Sequence, residues 1–201
     1  MKRLIIISLI IFGFLALQVQ AVEESLKGQY QKNLKYKGPV TGDEIIYTLY
    51  LPPGHSKDKG PYPLIVFLHG AGGGNASLQV MQSYEAARTV GKIGDCVVVF
   101  PEKYGGTVWR DGAKDKRPET NILKELLPYL EKEYALSRDR GARTIMGFSM
   151  GAAGSIYWGA KYLDIFSTVV ALDAGGGTSF TDPQARNYVP EYGTKTKAIQ
   201  K

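Results

Sequence analysis

The stretch TIMGFSMGAAGSIYWG, residues 144 to 159, limits what this chain can fold into more than any other. An apolar run ends at Gly147-Phe148-Ser149-Met150-Gly151, and the small residues Ala152, Ala153 and Gly154 follow. The pattern predicts a strand over residues 144–148, a sharp turn at Ser149 and a helix over residues 152–162. A residue at such a turn takes a strained backbone and points its side chain off the end of the sheet. Side chains on either flank would collide with the neighbouring strand and helix, which accounts for Gly147 and Gly151. A serine so presented is placed to act as a nucleophile; a tight strand-to-helix turn that merely needs glycine is the plainer reading. Either way, a helix must pack closely against a sheet.

Elsewhere short apolar runs alternate with helical spacing, which implies an α/β fold with a largely parallel sheet. Residues 44–51 (EIIYTLYL) read as a strand ended by Pro52-Pro53-Gly54. Residues 63–68 (PLIVFL) form a continuous aliphatic run, as expected of a central strand covered on both faces. A Gly-rich loop, a helix near residues 78–90 and a buried strand over residues 96–100 follow. Glycine, charge and Trp109 between Tyr104 and Arg117 predict a long loop over the sheet end. Ile122, Leu123, Leu126, Leu127, Leu130 and Tyr134 fall at helical spacing; Pro118 suits the first turn, and Pro128 is expected to kink the interior. Residues 166–172 (FSTVVAL) give the last predicted strand, and no periodic pattern continues past Gly175-Gly176-Gly177. A chain of 201 residues holds one such domain, not two.

The N-terminus reads differently. Lys2 and Arg3 precede an apolar run over residues 4–17, and Val19-Gln20-Ala21 follows. Residues 1–21 are therefore expected to be a secretory signal peptide cleaved after Ala21, leaving one domain over residues 22–201 in a secreted or periplasmic protein. The run is short for a membrane span of roughly 20 residues, so no stable insertion is expected once it is removed. Among the 25 basic residues the rest are scattered, with Lys32, Lys35 and Lys37 near the start, Lys114, Lys116 and Arg117 in the middle, and Lys195, Lys197 and Lys201 at the end. No stripe of basic and aromatic residues points to nucleic acid. Cys96, alone in the sequence and inside CVVVF, cannot form an internal disulfide and reads as a small core residue.

The second chemistry-bearing stretch is PLIVFLHGAGGGNAS, where His69-Gly70 closes a buried strand and opens a glycine-rich loop. Acyl transfer needs two backbone N–H donors aimed at the developing oxyanion. The residue after the nucleophile, Met150, supplies one, and the upstream loop supplies the other at Ala71. A phosphate-cradling loop is the rival, but the pattern G-x-x-x-x-G-K-[ST] is absent, as is an acidic residue about 20 positions on.

Four segments in order, YTLYLPPG, YPLIVFLHGAGGG, ETNILKELLPYLEKEY and TIMGFSMGAAGSIYWGAKYLDIFSTVVALDAG, resemble the esterase D group of α/β-hydrolases. That group includes feruloyl and acetyl-xylan esterases, S-formylglutathione hydrolases, siderophore esterases and mycolyltransferase antigens. The resemblance spans about residues 40–175. It implies an α/β-hydrolase three-layer sandwich and a Ser-His-Asp acyl hydrolase without metal or organic cofactor. Ser149 would be the nucleophile and Ala71 and Met150 the oxyanion donors, while His69 belongs to the oxyanion loop and is not the base. Together with the signal segment, this points to small-molecule or polysaccharide-linked esters as substrates.

The resemblance breaks at one place. In the family the acid and the histidine each follow a later strand, whereas here both histidines, His55 and His69, precede Ser149. His55, in PPGHSKDKG, reads as an exposed turn; Asp173 is the only carboxylate topologically near an acid position. The expectation is a domain lacking the last strands and helices of a longer esterase, inactive or weakly active by itself. One alternative is a non-catalytic carbohydrate- or ester-binding module with Trp109, Tyr104 and Arg110 stacking on the ligand, Trp109 packing on the sheet end being its plainer role. Another is an acyltransferase of the same fold.

Overall fold

The computed structural model describes residues 26–73, 77–112 and 116–174. The expected signal segment lies outside the described residues, as do Lys114 and everything from Gly175 onward. Six strands, β1 (Gln29–Lys37), β2 (Glu44–Leu51), β3 (Leu64–Leu68), β4 (Val97–Pro101), β5 (Arg143–Phe148) and β6 (Thr168–Leu172), form one sheet in the order β1-β2-β4-β3-β5-β6. β1 and β2 pair antiparallel, as do β2 and β4; β4, β3, β5 and β6 run parallel. The sheet is thus mostly parallel, as the alternating pattern implied.

Three helices connect the parallel strands: α1 (Ser77–Thr89), α2 (Leu127–Glu133) and α3 (Met150–Lys161). Strand alternation sorts side chains to two faces. On one face Ile45, Leu49, Leu64, Val66, Leu68, Val99 and Ile145 meet Leu126 and Leu130 around α2 and Tyr157 and Trp158 of α3. On the other, Tyr50, Phe67, Val98 and Phe100 meet Met81 and Tyr84 of α1. Both faces of β3 and β4 are therefore covered, which explains their unbroken aliphatic sequences.

Pro128 meets an unexpected solution. A π-helical stretch, Thr120–Leu126, runs directly into α2, and Leu127 N–H donates to Ile122 O across the wider turn. Proline in a regular helix leaves a carbonyl unpaired and clashes with it, and a wider turn just before the ring accommodates both problems.

The sequence reading placed no strand at residues 29–37. β1 is an edge strand with a break in register between Gln31 and Leu34, and Asn33 there has φ +56°. Tyr30 packs on the α1 face, whereas Leu34 and Tyr36 pack on the opposite one. The bulge switches faces in mid-strand, so the simple alternation that reveals a strand is lost.

Candidate active site

β5 passes into α3 through Ser149, whose φ of +54° and ψ of −116° lie where L-residues rarely go. Its N–H donates to Leu172 O at 3.0 Å, and its carbonyl accepts from Ala152 N at 2.9 Å, which starts the helix. The flanking glycines are sterically required. A Cβ at Gly147 would lie 2.0 Å from Gly151 O, and one at Gly151 would lie 1.9 Å from Leu68 O. The helix therefore sits on backbone at the end of β3, with Ser149 half-buried above it. Met150 opens α3, where N–H groups have no acceptor within the helix.

The end of β3 brings the second loop to the same place. β3 pairs with β5 up to Leu68 opposite Gly147, so residues 69–71 emerge beside the serine turn. A Cβ on Gly70 would lie 3.5 Å from Ser149 Cβ. Ala71 follows on an exposed turn in which Gly73 N–H donates to Gly70 O at 3.2 Å. Ser149, Met150 and Ala71, predicted separately from two motifs, thus meet at the C-terminal end of the parallel strands, the usual position for a site in such a sheet.

His69 is buried, with 3 % of its surface exposed. Its Nδ1 lies 2.6 Å from Gly70 O, and since a carbonyl only accepts, Nδ1 must carry the proton. Among the described residues its Nε2 has no hydrogen-bond partner. Burial pushes the imidazole below its ordinary pKa, opposed by the Gly70 carbonyl and aided by Lys116. The free Nε2 lone pair makes no hydrogen bond to Ser149, so ring and serine are not paired as base and nucleophile. His55 is at the wrong end of the sheet: its ring packs on Tyr62, just ahead of β3, and its Nε2 contacts Tyr134 O at 3.1 Å. The five residues of β3 set that end roughly 15 Å from the serine turn. His55 is also half-buried and tilted against Tyr62 and Tyr134, not simply exposed as the sequence suggested.

Asp173 directly follows Leu172, the β6 residue paired with Phe148, and is exposed with φ +47°. It therefore stands at the strand end adjoining the serine turn, as its sequence position implied.

The long loop after β4 supplies what sequence reasoning missed. Trp109 is fully buried, and its Nε1–H donates to His69 O at 3.1 Å. Trp158 Nε1–H of α3 donates in turn to Trp109 O at 2.7 Å. Tyr104 is buried too, and the Arg110 guanidinium lies over the Tyr157 ring at 4.2 Å. The stacking platform of Trp109, Tyr104 and Arg110 is therefore corrected: two of its members are core, and the plainer role of Trp109 is the one observed. Among the described residues no group of His, Cys, Asp and Glu is placed to hold a metal ion.

A mostly parallel sheet covered on both faces, with a positive-φ serine between strand and helix beside a glycine loop, defines an α/β-hydrolase fold. Residues 38–175 match the family described as "Putative esterase", and the chain belongs to that family. Solved structures with the same fold include a feruloyl esterase module from Clostridium thermocellum complexed with sinapinate, at 21% identity and TM-score 0.63 over 86% of this chain and 63% of that one. A ferulic acid esterase from Anaeromyces mucronatus in complex with ferulic acid is 26% identical, with TM-score 0.56 over 71% of this chain and 56% of that one. An S-formylglutathione hydrolase from Staphylococcus aureus is 23% identical, with TM-score 0.55 over 72% and 56%. The chain spans between 56% and 63% of the lengths of these three proteins.

Proposed function

We propose that the chain carries the nucleophile and oxyanion half of a serine carboxylic-ester hydrolase. The observation that supports this best is the strained Ser149 with the Gly70–Ala71 loop against it. Ser149 Oγ attacks the acyl carbon, the carbonyl π electrons move to oxygen, and the N–H groups of Ala71 and Met150 hold the resulting oxyanion. The Ser149 proton passes to a general base that neither His55 nor His69 supplies. Collapse expels the alcohol and leaves an acyl-Ser149, which water then hydrolyses. Without that base, the 201-residue chain keeps only the oxyanion contribution, on the order of 10³–10⁴ over the uncatalysed rate.

Esters of plant-type phenolic acids, free or polysaccharide-linked, are the substrates we favour, in line with the ferulic acid and sinapinate complexes of the neighbours. Export through the segment 1–21 puts the protein where such esters occur. No helix among the described residues is long and apolar enough to cross a membrane.

The test is acylation by p-nitrophenyl acetate followed by intact and peptide mass analysis. An acetyl group on Ser149, absent in Ser149→Ala, is the expected result. Equal p-nitrophenol release by the wild type and Ser149→Ala would overturn the assignment.

A further inference from the structure

We infer that His69 and Trp109 are positioning residues that aim the Ala71 N–H at the oxyanion; the inference rests on the functional reading above. The starting point is peptide geometry. The Gly70 carbonyl and the Ala71 N–H belong to one planar trans unit and point in opposite directions. Whatever fixes the carbonyl therefore fixes the donor. His69 Nδ1–H holds that carbonyl at 2.6 Å, and Gly73 N–H holds it at 3.2 Å.

One peptide earlier the same logic repeats. Trp109 Nε1–H holds the His69 carbonyl at 3.1 Å, so consecutive carbonyls leading into Ala71 are both tied by aromatic N–H donors. The two rings pack edge to face with centroids 4.8 Å apart. The Trp109 carbonyl accepts from Trp158, and a Cβ at Gly154 would lie 2.7 Å from Trp109 Cβ. Trp109 thus joins the oxyanion loop to the helix that begins at the nucleophile. It registers one backbone donor, Ala71, against the other, Met150.

Two physical effects follow. Glycine-rich backbone such as Gly70-Ala71-Gly72-Gly73 samples many orientations, and locking one removes a reorganisation cost from the transition state. A hydrogen bond on the Gly70 oxygen also polarises the peptide and strengthens its N–H as a donor. Both act on charge that exists only in the transition state, so they raise the acylation rate constant and leave substrate binding alone.

The test compares His69→Asn, His69→Gln and Trp109→Phe with the wild-type full-length chain, following Ser149 acetylation by p-nitrophenyl acetate over a range of ester concentrations. Asn presents an N–H near the position of Nδ1, whereas Gln presents one near Nε2. His69→Gln is expected to lower the maximal acylation rate by roughly ten- to a hundredfold with little change in half-saturation. His69→Asn should recover most of that loss. Imidazole ¹⁵N shifts should show Nδ1 protonated in the wild type and in Trp109→Phe, which keeps the fold in view if the Trp variant is less stable. Equal acylation by wild type and His69→Gln, or an Nε2–H tautomer, overturns the positioning role alone. A wild type that forms no acyl-Ser149 overturns the esterase reading and this inference with it.

Discussion

Ser149 holds a backbone conformation that glycine would hold more easily. A non-glycine residue at positive φ with extended negative ψ costs about 1–3 kcal/mol, while glycine loses about 0.5–1 kcal/mol in chain entropy. Ser149→Gly is therefore expected to stabilise the fold by about 1 kcal/mol while abolishing acylation. Urea unfolding measures the first and p-nitrophenyl acetate the second; a destabilised variant would show that the turn is not strained in solution. The need for Gly147 and Gly151 was legible because it follows from local sterics at one turn. The braces on His69 and Gly70 were not. They depend on a loop in which Val108 and Trp109 have φ +47° and +58°, a conformation that sequence gives no reason to expect of a β-branched residue.

The elements that frame the site lean on buried carboxylates. Glu125, in the π-helical stretch, accepts from Val40 N–H at 2.9 Å, Thr41 N–H at 2.8 Å and Thr41 Oγ1 at 2.7 Å, pinning the β1–β2 turn. Burial alone would raise its pKa, but these hydrogen bonds outweigh it and hold the carboxyl below its ordinary value. Glu85 of α1 shows the same balance, burial being outweighed by Tyr50, Arg88 and the Gly28 N–H. The folded-state pKa values are depressed, so the stabilisation is present above the ordinary carboxylate pKa near 4.3 and fades as pH falls below it toward the lowered values. The share these carboxylates contribute should be flat from about pH 7 to 5 and then decline, added to the loss that the depressed pKa of His69 brings as pH falls below about 6.5. Glu125→Ala, costing about 2–3 kcal/mol at pH 7, should show a shallower decline below pH 5. Parallel pH slopes for the variant and the wild type would rule this out. Periodicity made β2 to β6 legible but could not show this carboxylate anchoring, nor β1, because a bulge moves Leu34 off the face set by Tyr30. The π stretch escaped as well: Pro128 signals a fault in a helix without saying whether it kinks or widens.

At the scale of the sheet, the two edges are unlike. β1 ends one side with polar, lysine-bearing sequence, which resists pairing with another chain. β6 ends the other with TVVAL, and among the described residues nothing pairs with its outer edge. On the face shared with Met146, Phe148 stands beside Leu172 in register, with exposures of 42% and 39%. Their neighbour Val170 is half-buried, so the patch is continuous along β5 and β6. An apolar face next to an unpaired strand edge favours association between copies. The 201-residue chain is thus expected to bind 8-anilinonaphthalene-1-sulfonate in its folded state and to self-associate with rising concentration in sedimentation. Leu172→Lys places a charge within the patch, beside Phe148, without touching either core cluster, so it should weaken both signals while leaving the far-UV circular dichroism intact. If the wild type sediments as a monomer at every concentration and binds no dye, then this face is covered in solution and the edge of β6 is not the weak point of the fold.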